Sequence, residues 1–106
     1  METLSVGMYV KTLNGIVKID KIKDSIMIDT KGKTHFGDFI KASHNIIDLI
    51  EVGDYVNGRE VVDIFYDVND NVMNVCVLGS IVYDNNEIKS IITKEQFEQM
   101  AYKVGE

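Results

Sequence analysis

The chain reads as a mainly β protein with one short C-terminal helix, built as two tandem five-strand units packed as one body. Three observations predict this. Among 106 residues, Ile and Val supply 27 against four Leu and two Ala, and β-branched side chains fit a pleated surface better than a helix. The opening Val6-Gly7-Met8-Tyr9-Val10 returns as Val52-Gly53-Asp54-Tyr55-Val56. Each copy then meets an Asn-Gly pair, Asn14-Gly15 or Asn57-Gly58, and a β-branched run, Ile16–Ile19 or Val61–Ile64. Self-similarity of this kind marks an internal repeat, here residues 1–51 and 52–106.

Within the first unit, Met8–Thr12 is followed by Ile16–Lys23, where Val17, Ile19 and Ile22 share a face only if a bulge falls at Asp20-Lys21. Asp24-Ser25 turns the chain into Ile26–Asp29, and Thr30-Lys31-Gly32-Lys33 is a polar hairpin turn into Thr34–Phe36. In the second unit Val62, Ile64 and Tyr66 alternate with Asp63, Phe65 and Asp67. Asn69-Asp70-Asn71 makes the turn, and Met73, Val75 and Val77 alternate with Asn74, Cys76 and Leu78. Ile40-Lys41-Ala42-Ser43 and Ile88-Lys89-Ser90-Ile91 match downstream. Each is expected to lead through a helical stretch to a closing strand around Ile50/Val52 or Tyr102/Val104. The first helical stretch, from a Ser43 cap to Leu49, is short enough for a 3₁₀ turn. The second, residues 94–101, has Thr93 as N-cap and Gln96 three residues on, which is a capping box. Tyr9, Tyr55, Phe97 and Met100 are the expected aromatic and methionine core. Gly7 and Gly53 should occupy equivalent turns.

Composition narrows function by exclusion. The formal charge is -6, which disfavours non-specific attraction to nucleic acid or an anionic membrane surface. No apolar run approaches the roughly 20 residues of a membrane span. Nor does Met1–Tyr9 have the pattern of a signal peptide, so a cytoplasmic location is expected. Cys76 is the single cysteine and has no disulfide partner within the chain. Neither Gly-x-Gly-x-x-Gly nor Gly-x-x-x-x-Gly-Lys occurs. His35, Asp38 and His44 are the one cluster of metal-capable side chains, without the paired spacing of a zinc site. Cys76 sits between Val75 and Val77 with no histidine near in sequence, which reads as a small packing residue. No enzyme activity, metal or cofactor is expected.

Five short strands opened by Gly-x-Tyr-Val resemble the SH3-like small barrel. A second resemblance rests on Ser43-His44-Asn45-Ile46-Ile47-Asp48-Leu49-Ile50-Glu51-Val52-Gly53-Asp54-Tyr55-Val56-Asn57-Gly58 and on Ile88-Lys89-Ser90-Ile91-Ile92-Thr93-Lys94-Glu95-Gln96-Phe97-Glu98. Both stretches are similar to small proteins carried by phages and prophages of low-GC Gram-positive bacteria. That resemblance implies a setting in a host cytoplasm and carries no catalytic residues.

Charge distribution is the most informative feature. Residues 1–50 hold seven Lys and six acids, net +1, whereas 51–106 hold four basic residues and eleven acids, net -7. Glu51, Asp54, Glu60, Asp63, Asp67, Asp70, Asp84 and Glu87 face only Arg59 between them. Such a face can simply keep a small β protein soluble and discourage edge pairing. It can also dock a basic host protein, with carboxylates standing where phosphates would sit. The function expected is therefore a phage or prophage accessory protein that binds a host protein. An inhibitor of an antiviral defence system, such as a CRISPR effector, fits that description. The rival is a small-barrel RNA- or DNA-binding module using Lys11, Lys18, Lys21, Lys23, Lys31, Lys33 and Lys41, with Tyr9 or Phe36 stacking on a base. Interleaved Asp20, Asp24 and Asp29, and the lack of arginine in that half, weigh against it. Exposed strand edges on such units offer a route to a homodimer.

Overall fold

A computed structural model describes residues 4–24, 26–36 and 39–100, with Phe36 described by its backbone alone. The chain divides into two units, 1–50 and 51–106. In the first, β1 (Tyr9–Thr12), β2 (Gly15–Lys23), β3 (Ile26–Asp29), β4 (Thr34–Phe36) and β5 (Lys41–Ser43) form one antiparallel sheet in the order β4-β3-β2-β1-β5. In the second, β6 (Tyr55–Val56), β7 (Arg59–Asp67), β8 (Val72–Val77), β9 (Ile81–Tyr83) and β10 (Ile91–Ile92) lie in the order β10-β6-β7-β8-β9. Read from the other edge, this is the same order. A helix, α1 (Lys94–Met100), follows β10. The last residue expected in it, Ala101, and the Tyr102/Val104 pair lie outside the described residues.

Backbone bonds match the units residue for residue at their openings. Gly7 and Gly53 have φ of 92° and 100°, a region that side-chain-bearing residues avoid. Gly7 donates to the Ile19 carbonyl and Gly53 to that of Val61, while Ile19 and Val61 donate back to Met8 and Asp54. Ile19 is thus the counterpart of Val61, and both are buried. Immediately beyond, each second strand breaks register, between Ile19 and Lys21 and between Val61 and Asp63. The first bulge is the one the spacing predicts. The second, at Val62, interrupts the alternation expected for Val62, Ile64 and Tyr66 and leaves Val62 exposed. The next turn repeats the match, Thr30 donating to Lys18 and Leu78 to Glu60.

Both units depart from the expected layout at their closing strands. The fifth strand comes before the helical segment, because Lys41–Ser43 and Ile91–Ile92 are the segments that pair with the edges of β1 and β6. Ala42 is therefore equivalent to Ile91, one position away from the match read between Ile40-Lys41 and Ile88-Lys89. Residues Ile46–Leu49 form the expected 3₁₀ turn, capped by Asn45. Ser43 instead accepts the Asn45 N–H and donates to Asp48. The Asn-Gly pairs also differ in role. Asn57 and Gly58, at φ 53° and 82°, are the two central residues of a tight hairpin joining Val56 to Arg59. Gly15 already pairs with Thr12, so Leu13-Asn14 makes the first turn.

Met8, Val10, Ile19, Met27 and Ala42 form the first unit's core, with Leu4, Val17 and Phe39 packed against it. Val56, Val61, Val75 and Val77 are fully buried in the second, each worth about 1.5 to 3 kcal/mol over exposure. The aromatic core expected from the sequence is only partly realised. Tyr9 and Tyr55 are half-buried, whereas Phe97 is 39% and Met100 76% exposed. No side chain of α1 between Lys94 and Met100 is buried. Phe97 rests against the Tyr55 ring, centroids 4.8 Å apart.

Candidate functional site

The eight acids between Glu51 and Glu87 separate into two groups. Four serve local structure around the ends of the unit. Asp54 is fully buried: Oδ1 accepts the Lys94 N–H and Oδ2 the Glu51 N–H, each at 2.8 Å. Its charge is therefore withdrawn from any partner, a correction to its expected place on the docking face. Glu51 pairs with Lys94 Nζ at 3.2 Å. Asp84 caps the 3₁₀ turn Asn85–Glu87 by accepting from Asn86 and Glu87, and Glu87 reaches back to the Asp84 N–H.

The other four, Glu60, Asp63, Asp67 and Asp70, lie along the β7–β8 hairpin. Asp63 and Asp70 are exposed, and Asp67 Oδ1 accepts the Asn69 and Asp70 N–H groups, holding the turn. Arg59 is drawn away to the Leu78 carbonyl. This hairpin is longer than its counterpart. Twelve residues separate the paired Asp63 and Cys76, against six between the equivalent Lys21 and Ile28. Two additional residues per strand extend it by about 7 Å. At its end stand Tyr66, 51% exposed, Val68, 78% exposed, and Val72, 42% exposed. Composition and charge point to the acids and give these three apolar side chains no role in binding. The signal available was Val68 directly before Asn69-Asp70-Asn71, a β-branched residue at the mouth of a polar turn.

In the first unit the lysines do not form one uniform set. Lys11 is buried, Lys18 lies over the Tyr9 ring at 5.4 Å, and Lys41 donates to the Asp48 carbonyl. Lys21, Lys23, Lys31 and Lys33 are exposed, with Asp20 and Asp24 exposed among them. The Phe36 side chain lies outside the described residues.

The first unit does hold a polar pair the sequence reading missed. His35 Nε2 is 2.8 Å from Asp29 Oδ2, and the side chains are 16% and 7% exposed. Asp29 Oδ1 accepts the N–H groups of Lys31 and Lys33. The imidazole hydrogen bond, helped by these two, holds the Asp29 carboxyl below the usual aspartate range against the opposing effect of burial. A three-residue turn, Thr30 to Gly32, brings the two together, with Asp29 at the end of one strand and His35 two residues into the pairing of the next. His44 stands apart from this pair in its bonding, 3.2 Å from Ser5 Oγ. Among the described residues no group of three or more His, Cys, Asp or Glu is placed to hold a metal, and Asp38 lies outside them. Cys76 is half-buried. No helix among the described residues is long and apolar enough to cross a membrane.

Comparison with protein-family models, with curated proteins and with solved structures found no match.

Proposed function

We propose that this chain is a non-catalytic binding protein whose second unit docks a basic partner protein through the β7–β8 hairpin. The observation that carries the reading is the hairpin's extended end, where Tyr66, Val68 and Val72 are exposed together with Asp70 of the turn, while exposed Asp63 lies nearer the hairpin's base. Of these, Tyr66 is the residue type that most often dominates binding energy once desolvated, and the valines exclude water around it. Carboxylates around them, in a unit of net charge -7, steer a basic partner and exclude acidic ones. Resemblance to phage-borne proteins makes the partner a host protein. A nucleic-acid-binding effector of a defence system in the host cytoplasm has the matching basic surface, and a small acidic chain suits a stoichiometric inhibitor. Placement of the lysines gives less support to the nucleic-acid rival, since Lys11 is buried and Lys41 engaged.

Affinity capture from a host lysate, with and without nuclease, tests the proposal alongside two variants. A basic protein should be recovered in both conditions with the wild-type chain. Its recovery should fall with Asp63→Lys/Asp70→Lys and with Val68→Ser/Tyr66→Ser. Recovery that depends on nucleic acid, or that neither variant alters, would overturn it.

A further inference from the structure

Each unit has its own ladder of the same pattern, and the two treat the same place in it differently. In the second, the space between the first hairpin's tip and the segment entering the last strand is tied shut by Asn57. Its Nδ2 donates to the Glu87 carbonyl at 2.9 Å, and its Oδ1 accepts the N–H groups of Lys89 and Ser90 at 2.8 and 3.1 Å. In the first, eight residues rather than four separate the paired residues that open this hairpin, Tyr9 and Lys18 against Tyr55 and Glu60. Here a groove of about 520 Å³ remains, walled by Leu13 and Asn14 of the tip, Lys33 and His35 beside β3, and Phe39 and Ile40 ahead of β5. That volume lies within the range of small-molecule sites.

A second difference falls on the same groove. By ladder register, Asp29 and His35 occupy the positions that Val77 and Tyr83 hold in the second unit. Since Val77 and Tyr83 serve the equivalent ladder, the fold does not call for a carboxylate there, and burying one is unfavourable unless it is fully hydrogen-bonded. Part of Asp29 has a structural use, because Oδ1 holds the Lys31 and Lys33 turn. Oδ2 remains, and it fixes the His35 ring through Nε2, leaving Nδ1 as the ring's other polar atom.

We propose that this groove binds a small apolar monocarboxylate, its chain against Leu13, Phe39 and Ile40 and its carboxylate against Lys33 and His35. Charge complementarity selects this ligand. Lys33 brings an ammonium group to the groove wall, and the His35 ring, held on Asp29 through Nε2, has Nδ1 left to bond a ligand. Among the described residues the acid adjoining them is Asp29, which has both oxygens engaged and so offers little to a competing cation.

The probes are octanoate and octanamide, which share a chain and differ in charge, titrated into the isotope-labelled full chain and followed by amide resonances. Octanoate should saturate with shifts concentrated at Leu13, Asn14, Lys33, His35, Phe39 and Ile40, and octanamide should bind about tenfold more weakly. Lys33→Glu alters an exposed side chain and leaves its backbone bond to Asp29 in place. It should keep the melting temperature and weaken octanoate about tenfold. Equal affinity for the two probes, shifts centred elsewhere, no saturable shift with octanoate, or octanoate binding unaltered by Lys33→Glu would each overturn the proposal. None of these outcomes bears on the β7–β8 hairpin, so the two readings fail separately.

Discussion

The buried carboxylate of Asp54 accepts the backbone N–H of Lys94, forty residues further along the chain. Through its other oxygen it holds the Glu51 N–H, so one side chain ties the start of the second unit to the start of α1. An aspartate in a stretch of acids thereby becomes a structural clasp. Asp54→Ala leaves two N–H donors without their acceptor and should cost about 2 to 4 kcal/mol. Asp63→Ala, on the exposed face, should change stability by less than about 0.5 kcal/mol. Urea denaturation of both variants checks the contrast, and equal losses would remove the distinction between the two groups of acids.

Phe97 makes a graded case. A fully packed phenylalanine cut to alanine costs about 3 to 5 kcal/mol, but this one is 39% exposed and contributes chiefly its contact with Tyr55. Tilted aromatic pairs add about 0.5 to 1.5 kcal/mol beyond area burial. Phe97→Ala should therefore cost about 1 to 2 kcal/mol, and Met100→Ala, at 76% exposure, less than about 0.5 kcal/mol. Thermal melts of the two variants separate these values.

The Asn57 bridge predicts an asymmetry between the duplicated Asn-Gly pairs. Asn57→Ala removes three hydrogen bonds and also places alanine at φ 53°, so it should cost about 2 to 4 kcal/mol. Asn14 is exposed at the groove rim, and Asn14→Ala should leave stability within about 0.5 kcal/mol. Comparable losses at both sites would mean that the first tip is tied down as firmly as the second.

How far the fold was legible follows from what kinds of signal residues leave. Gly7 and Gly53 mark their turns because few other residues take up that backbone conformation, and the Thr93–Gln96 capping box is local, so both were readable. The bulge at Asp20 showed because Val17, Ile19 and Ile22 break a period of two. The bulge at Val62 did not show, since its neighbours Val61 and Ile64 are equally apolar and either alternation reads well. The first unit's closing strand, expected around Ile50/Val52, was misplaced for a different reason. Lys41–Ser43 is a strand because β1 offers it an edge, a long-range fact with no local mark. Burial of Asp54 and pairing of Asp29 with His35 likewise depend on groups brought close by the ladder. A carboxylate in the sequence looks the same whether it caps a buried turn or meets solvent.

The Asp29 carboxyl gives the last prediction, on acid stability. Its pKa in the folded chain is lowered, first by the His35 hydrogen bond and further by the Lys33 and Lys31 N–H groups. A group whose folded pKa lies below its unfolded value stabilises the fold above the unfolded pKa and loses that contribution as pH falls through the folded one. For an aspartate the unfolded value is about 3.9. The carboxylate's contribution to the advantage of the wild-type chain over Asp29→Asn should therefore be present at about pH 5 and shrink as pH falls below about 4. His35→Phe removes the largest cause of the shift. In that background the contribution of Asp29 should be smaller and should fade at a higher pH than in the wild type. Urea midpoints measured across this range for the single and double variants test the coupling. A wild-type advantage that survives undiminished in strong acid would show that Asp29 acts without its charge.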